Sequence, residues 1–595
     1  MHFYPTDQEI EAAASLLVSK YEISSHLLGE LFGRENRDHA NQILASLGEV
    51  KIDKFQLAKL LIAKKGVCLF SGADEETRKL RRSLLETLDE ARLVNLFKNY
   101  GPKDSSINNP GHMITPLVEK RWFGGGNWPR EFVSKLGFPL IFAGVKEESL
   151  KITTIMDVPP RMTLPDLAEF QMGLKDKMRK VLERDEDKTR CVVTLPTGGG
   201  KTRVAVEAFI EWLEPRFAQE QYLIWIAQSE ELCEQAIQCI KDLWSNNEYL
   251  YPLRIYRFFG DYEPDLEDLI GGVVVCSIQK LHNQIKKGGT ILDNILLETG
   301  AMVIDEAHRA VSFMYNNLFD HIEKIRNDDL FPICGLTATP GRAGLNRQEE
   351  TKKLVDRFEW YLIKPDLGPE YTENPLKYFV EHQFLARAKH ITYRSGIEYV
   401  LKEHEVYDDP TTDERLSPGF LKRLAVDEQR NLLIIKRLLK IPKNKPTLVY
   451  ACTVEHAHFL AVILSQKGRT AGVISSETPL TIRRGFIKAF KKGEINFLLN
   501  FGVLTTGFDA PNTEYVVICR PTTSVILYEQ IIGRGLRGPK FHGTKECTII
   551  DFADNIKRLG GPLAYERFSD DWTWDEEREE GVGQSVFKEI AATND

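Results

Sequence analysis

Blocks of apolar residues recur along most of the chain, and their spacing changes twice. Up to about residue 90 the apolar positions fall three and four apart, as in EIEAAASLLVSKYEISSHLLGELFG and EETRKLRRSLLETLDEARLVNLFKNYG, which predicts amphipathic helices. From about 101 to 160 the texture is Gly, Pro, Asn and aromatic, NNPGHMITPLVEKRWFGGGNWPREFVSKLGFPLIFAGV, and predicts turns with a few short strands or helices. After 163, CVVTL, YLIWIA, GGVVVCS, AMVID and ICGLT alternate with helical segments. Apolar strands interleaved with helices predict a parallel sheet covered on both faces. A second set, TLVYA, TAGVIS, NFLLNF, YVVICR and CTIIDF, begins after position 446. The expected fold class is α/β, two tandem parallel-sheet domains preceded by a mainly helical N-terminal module. The expected boundaries are 1–160 for that accessory module, 161–345 for the first domain, 346–445 for a linker leading into the second, 446–557 for the second domain and 558–595 for an acidic tail.

Composition narrows the class without choosing a function. At 595 residues the chain is too long for one core. Its 42% hydrophobic and 28% charged content is that of an ordinary water-soluble protein, and no stretch approaches the roughly 20 apolar residues of a membrane span. The start, MHFYPTDQEIEAAA, lacks a basic segment followed by an apolar one, so no secretory signal is expected. Nine scattered cysteines form no CxxC pair, and the expectation is reduced, buried thiols in a cytoplasmic protein. The net charge of −8 gives no global attraction for a phosphate backbone, so a nucleic acid would be held by a local track.

The candidate chemistry begins at TLPTGGGKT. Thr197, Gly198, Gly199 and Gly200 let backbone N–H groups approach phosphate oxygens, and the following helix N-terminus adds partial positive charge. Lys201 would reach the β- and γ-phosphates of ATP, and the Thr202 hydroxyl would hold Mg²⁺. Leu195 stands where the strict P-loop pattern has glycine. The other triplet, WFGGGNW, has no lysine or hydroxyl after it and no apolar strand before it, and reads as a turn between aromatics. In AMVIDEAHRA an apolar strand delivers two carboxylates to its C-terminal end, where open parallel sheets bind ligands. Asp305 is the expected Mg²⁺ partner, Glu306 the group that orients and deprotonates the attacking water, and His308 a bridge towards a neighbouring domain. Thr337 and Thr339 of CGLTATPGR are placed to relay between the carboxylate site and the second domain, and Gln171 can both donate to and accept from an adenine edge.

In the later set of strands, NFGVLTTGFDAPNT brings Thr505, Thr506, Gly507 and Asp509 to a strand end, with Gly507 and Asp509 as candidate nucleotide contacts. LYEQIIGRGLRGP is expected to carry Gln530, Arg534 and Arg537 on one helix, the arginines three apart on one face and aimed across a cleft at a γ-phosphate. Taken together, TGGGKT, DEAH, LTATP, TTGFDAP and QIIGRGLR, in this order, resemble a superfamily 2 DEAD/DEAH-type helicase over about residues 163–557. LTATP, and Ile531 where RNA enzymes of the DEAH type tend to have arginine, make the chain more similar to restriction-enzyme helicase subunits and DNA repair translocases. That resemblance implies two RecA-like domains closing on ATP and Mg²⁺. It also implies nucleic-acid contacts at Gln228 and Ser229, at Ser277 and Gln279, at Thr453 and at Thr505. The expected activity is ATP-driven translocation or unwinding, DNA preferred over RNA, in defence (antiviral defence included) or DNA repair. A partner protein would dock through the N-terminal module. The alternatives are an RNA helicase and an ATP-gated sensor that recruits a partner without processive movement.

Overall fold

The computed structural model describes residues 4–48, 52–102, 110–144, 155–158, 166–185, 187–219, 221–245, 252–327, 331–338, 348–371, 375–402, 405, 416–476, 478–504, 510–522 and 524–557. The tail 558–595 lies outside them. Fourteen strands are named in chain order: β1 Ile155–Val158, β2 Arg190–Thr194, β3 Tyr222–Ala227, β4 Leu253–Phe258, β5 Gly272–Ser277, β6 Thr299–Asp305, β7 Ile333–Thr337, β8 Leu362–Ile363, β9 Arg387–Val400, β10 Thr447–Tyr450, β11 Ala471–Ile474, β12 Phe497–Asn500, β13 Tyr515–Ile518 and β14 Glu546–Lys557.

β1 to β8 form one sheet in the order β1-β4-β5-β3-β6-β7-β2-β8, parallel except where β1 runs against β4. The other six form a second, all-parallel sheet in the order β11-β12-β10-β13-β14-β9. β3 and β5 are buried along their whole length, as strands covered by helices on both faces must be. Parallel pairing has a functional corollary. The carboxyl ends of β2, β3, β5, β6 and β7 all lie along one edge of the first sheet, so the segments that follow them share that edge. The α/β expectation and the helical module both hold. The second sheet also takes β9 from the stretch expected to be linker, and pairs it with β14 over the length of both.

The stretch from 101 to 160, expected to hold turns with a few short strands or helices, contains two ten-residue helices, Pro110–Glu119 and Asn127–Leu136. Its glycines and prolines punctuate helices rather than break them. Gly126 caps the start of the second helix, Pro129 lies in its first turn, where a missing N–H costs nothing, and Gly137 ends it in the left-handed region at φ 80°. The triplet at 124–126 is a turn pinned by the Gly125 amide on the Ala143 carbonyl, 2.9 Å.

The module does not stand apart from the α/β domains. Helices Arg34–Ser46 and Lys54–Lys65 pack on helices Glu428–Lys440 and Val454–Gln466 of the second domain. Leu28, Phe32, Leu57 and Leu61 share one continuous apolar core with Ile434, Leu438, Val449, Leu460 and Ile463. Tyr4 also stacks on Phe486, ring centroids 6.1 Å apart. The module and the second sheet thus make one lobe, and the first sheet with its helices makes the other. Among the described residues no helix is long and apolar enough to cross a membrane.

Candidate active site

The first wall of the site follows β2. The turn from Leu195 to Gly200 leads into helix Lys201–Leu213, whose second residue is Thr202. Gly200 holds φ 87°, and a Cβ there would lie 2.5 Å from Gln171 Nε2. That amide is buried; it donates to the Gly199 carbonyl at 3.1 Å, and its Oε1 accepts from the Ala168 amide at 3.0 Å. Gln171 therefore braces the glycine loop, and an adenine edge would have to share the amide with it. Lys201 Nζ is turned back onto the Leu195 and Pro196 carbonyls, at 3.1 and 3.5 Å. Burial pushes its pKa down; Glu306 and Asp305 oppose this, Arg534 adds to it and Glu529 opposes it again.

The acidic wall follows β6. Asp305 is buried, and its Oδ1 accepts from the Glu306 amide at 3.0 Å. Glu306 holds φ 53° and ψ 50°, a left-handed conformation that a non-glycine residue adopts at a cost of about 1–3 kcal/mol. His308 Nδ1 stands 3.4 Å from Glu306 Oε2 and 3.1 Å from Thr337 Oγ1 at the end of β7. The DEAH segment and the LTAT turn thus meet through that imidazole; Thr339 lies outside the described residues. Burial, then the neighbouring Glu306 charge, push the Asp305 pKa up to about 7 against the pull of Lys201 and Arg534.

The facing wall comes from the second lobe, and here one expectation is corrected. Gln530 lies on helix Val525–Ile532, but the helix ends at its cap Gly533, and Arg534 and Arg537 do not share a helical face. Arg534 falls in the turn beyond, its Nε on the Gln530 carbonyl at 3.2 Å, and Arg537 pairs as an isolated bridge with Leu385. The helix ends at Gly533, before Arg534 is reached, and Gly535 follows between the two arginines. Gly533 has a second consequence: a Cβ there would sit 2.3 Å from Thr197 Cγ2, so the lobes meet where only a glycine fits. Arg537 Cγ would be 3.8 Å from a Cβ on Gly198. The cleft is closed, with Arg534 within electrostatic reach of Lys201 and Asp305. Gln530 is 7% exposed, and its Nε2 has no hydrogen-bond partner among the described residues. Gly507 and Asp509 lie outside the described residues.

Two features of this wall escaped the sequence reading. Glu529 is largely buried; desolvation pushes its pKa up to about 7, with Lys201 opposing and Glu306 adding to the shift. Tyr528 Oη donates to Asp551 Oδ2 at 2.7 Å and lies 2.9 Å from His390 Nε2, which itself bonds Asp551. This pins the helix to β9 and β14. A single tyrosine ahead of the arginines gave no signal in the sequence, because its partners are 138 and 23 residues away.

The donor set fits a magnesium nucleotide. A buried ammonium at a helix N-terminus suits phosphate, and three crowded carboxyls, two with raised pKa, suit a divalent cation that would lower their mutual repulsion. The proton balance has a sign that can be checked. Asp305 and Glu529 keep protons in the folded protein that the unfolded chain releases at its ordinary carboxyl pKa. Their contribution to stability is therefore fully present below about pH 4 and lost as pH rises through about 7. Without nucleotide, Glu529→Gln should remove part of that loss and raise Tm relative to the parent by roughly 4 °C at pH 8, with little difference at pH 4, in paired thermal melts.

A groove of about 660 Å³ runs between the lobes on the same edge. The first domain lines it with Gln228, Ser229, Ser277 and Gln279, four of the six expected nucleic-acid residues, together with Lys280. The second contributes Ser476, Arg483, Gly502 and Val503. Gln228 Nε2 also donates to buried Tyr315 Oη at 3.1 Å, on the helix after the DEAH segment. Thr453 is not in this lining; its hydroxyl caps helix Val454–Gln466 by accepting from the His456 amide at 3.0 Å. Thr505 lies outside the described residues. Lys280 and Arg483 gave no signal in the sequence, because a cation on a helix ordinarily reads as solvated surface.

Residues 166–342 match the family described as type III restriction enzyme, res subunit, and residues 430–538 match the helicase conserved C-terminal domain. The chain is similar to a Saccharomyces cerevisiae protein named ATP-dependent helicase IRC3, 28% identical over 75% of this chain and 60% of that one. It is also similar to the mitochondrial ATP-dependent helicase irc3 of Schizosaccharomyces pombe, 26% identical over 63% of this chain and 55% of that one. A third relative is the type I restriction enzyme EcoKI endonuclease subunit of Escherichia coli, 21% identical over 64% of this chain and 34% of that one. The chain thus spans somewhat over half the length of the two yeast relatives.

Proposed function

We propose, from the premise that this chain belongs to the superfamily 2 helicases in the branch of the restriction-enzyme helicase subunits, that it is a nucleic-acid-stimulated ATPase that moves along or remodels DNA. One observation carries the reading. The nucleotide cleft and the groove are both built from the two lobes, on one edge of the first sheet, so any opening of the cleft must also shift one wall of the groove against the other.

In this reading the glycine loop, Lys201 and the N-terminus of helix Lys201–Leu213 bind the triphosphate. Thr202 and Asp305 would hold Mg²⁺, which when bound would supply charge neutralisation on the phosphates. Glu306 takes a proton from the attacking water while His308 fixes its carboxylate and links it to Thr337. Arg534 faces the developing charge from the second lobe, with Arg537 beside the glycine loop, and Gln530 offers its unpartnered amide. Gln171 holds the loop and presents its remaining amide capacity to the base; Gly507 and Asp509 are kept as nucleotide contacts on the strength of the sequence motif. Polar groups in the groove and few charges suit sliding along a backbone without reading sequence. On the second lobe the track would run along Ser476, Arg483, Gly502 and Val503; Thr505 is kept as a contact from the sequence motif, and Thr453 acts as a helix cap behind it.

Likeness to restriction-enzyme subunits supports DNA over RNA and a role in defence or repair beside a separate catalytic protein, in the cytoplasm. The test is ATP turnover by the full chain with single-stranded DNA, duplex DNA, forked DNA and RNA of equal length. DNA should raise the rate more than RNA does. Equal stimulation by RNA would favour the RNA helicase, and no stimulation by any of them would remove the motor reading. A sensor that does not move would hydrolyse ATP on DNA yet fail to displace an annealed strand.

A further inference from the structure

The N-terminal module lies outside both matched segments, yet a buried chain of side chains ties it to the second sheet, and its hydrogens can be placed in only one way. The Cys452 amide can only donate, and it faces His456 Nδ1 at 3.2 Å. That nitrogen accepts, so Nε2 carries the hydrogen and donates to Asn431 Oδ1 at 2.9 Å. Asn431 Nδ2 then donates one hydrogen to the Ala425 carbonyl at 2.8 Å and the other to His39 Nε2 at 3.3 Å. His39 stands on the module's helix Arg34–Ser46 and stacks on Phe459 of the second domain, ring centroids 4.3 Å apart. His39, Asn431 and His456 are 9%, 0% and 1% exposed.

Both imidazoles must be neutral for the chain to close, and their surroundings agree. Burial pushes the His39 pKa down against the opposing Asp427 charge, and burial, Arg430 and His39 push His456 well below its ordinary value. At the far end, His456 and Thr453 fix the turn after β10. Tyr450 Oη donates to the Leu504 carbonyl at 3.0 Å, and Asn500 Nδ2 to the Val449 carbonyl at 3.2 Å. The end of β10 is thereby tied to the segment 501–504, whose Gly502 and Val503 line the groove.

We propose that His39 is a positioning residue: through Asn431 and His456 the N-terminal module sets the groove-facing end of the second sheet, and so sets the affinity for nucleic acid. This rests on the groove being the nucleic-acid track. The test uses the full chain, a single-stranded oligodeoxynucleotide and ATP turnover. His39→Leu keeps bulk against Phe459 but removes the acceptor, and should raise half-saturating DNA by about tenfold, the worth of one buried hydrogen bond. The DNA-free rate and the turnover at saturating DNA should stay as in the parent. His39→Gln, whose Oε1 can accept in place of Nε2, should restore half-saturation.

Hydrogen exchange over residues 452–456 supplies a readout that needs no nucleic acid: faster in His39→Leu, unchanged in His39→Gln. Unaltered exchange in His39→Leu overturns the link. Faster exchange with unaltered half-saturation overturns its role in positioning the groove. A His39→Gln variant that behaves like His39→Leu assigns the effect to packing and also overturns the proposal. If the parent responds to neither DNA nor RNA, the functional reading fails while the exchange measurement still decides the link.

Discussion

Arg534→Ala should lower ATP turnover by about 10³-fold or more, the scale on which arginines facing a transferred phosphoryl group act. Arg534 comes from the second lobe, just past a helix held to the sheet by Tyr528, and its charge already reaches Lys201 and Asp305 across the cleft. Among the described residues, the first lobe's side of the cleft sets Lys201 against Asp305 and Glu306, and Lys201 is already engaged with the glycine loop, so it could not take over the role of Arg534. Nucleotide binding should suffer far less, since the loop and Lys201 remain. Fluorescent-nucleotide titration beside steady-state hydrolysis separates the two effects. Arg534→Lys keeps the charge without the planar fork and should recover only part of the rate. A rate within about tenfold of the parent in Arg534→Ala would remove Arg534 from the chemistry.

Glu306→Gln should lower turnover by about 10²- to 10⁴-fold, the range for loss of a positioned general base. Glutamine keeps the length of the side chain and leaves the left-handed backbone as it is, so the fold should be intact by melting temperature. It cannot take a proton. With one negative charge fewer beside Asp305, Mg²⁺-nucleotide should bind at least as tightly as in the parent, so the variant should trap ATP. A variant that still turned over at near-parental rate would mean that another group, with Asp305 the nearest, accepts the proton.

Much of this was legible in the sequence, for a definable reason. All ten apolar blocks read as strands are strands, because a buried parallel strand needs an unbroken apolar run and leaves that mark. β4 and β9 were missed for the converse reason: LRIYRF and RAKHITYRSGIEYV interleave charges, and β9, at the edge of its sheet, leaves several of its residues exposed. The P-loop and the acidic pair were legible because their chemistry is local in sequence. Glu529, the Tyr528–His390–Asp551 anchor and the His39–Asn431–His456 chain were not, since each is a pairing across long separations. The arginine pair shows where local reasoning fails: spacing of three predicts a shared helical face only while the helix lasts, and here it stops at Gly533.

One lobe is assembled from segments on either side, in sequence, of the first sheet and its helices. On a ribosome adding about 5–20 residues each second, helices Arg34–Ser46 and Lys54–Lys65 emerge tens of seconds before helix Val454–Gln466 exists to receive them. Throughout that interval their outward apolar flank is bare while the intervening α/β unit is free to fold first. Completion of this lobe therefore waits on helices Glu428–Lys440 and Val454–Gln466, which supply the other half of its core.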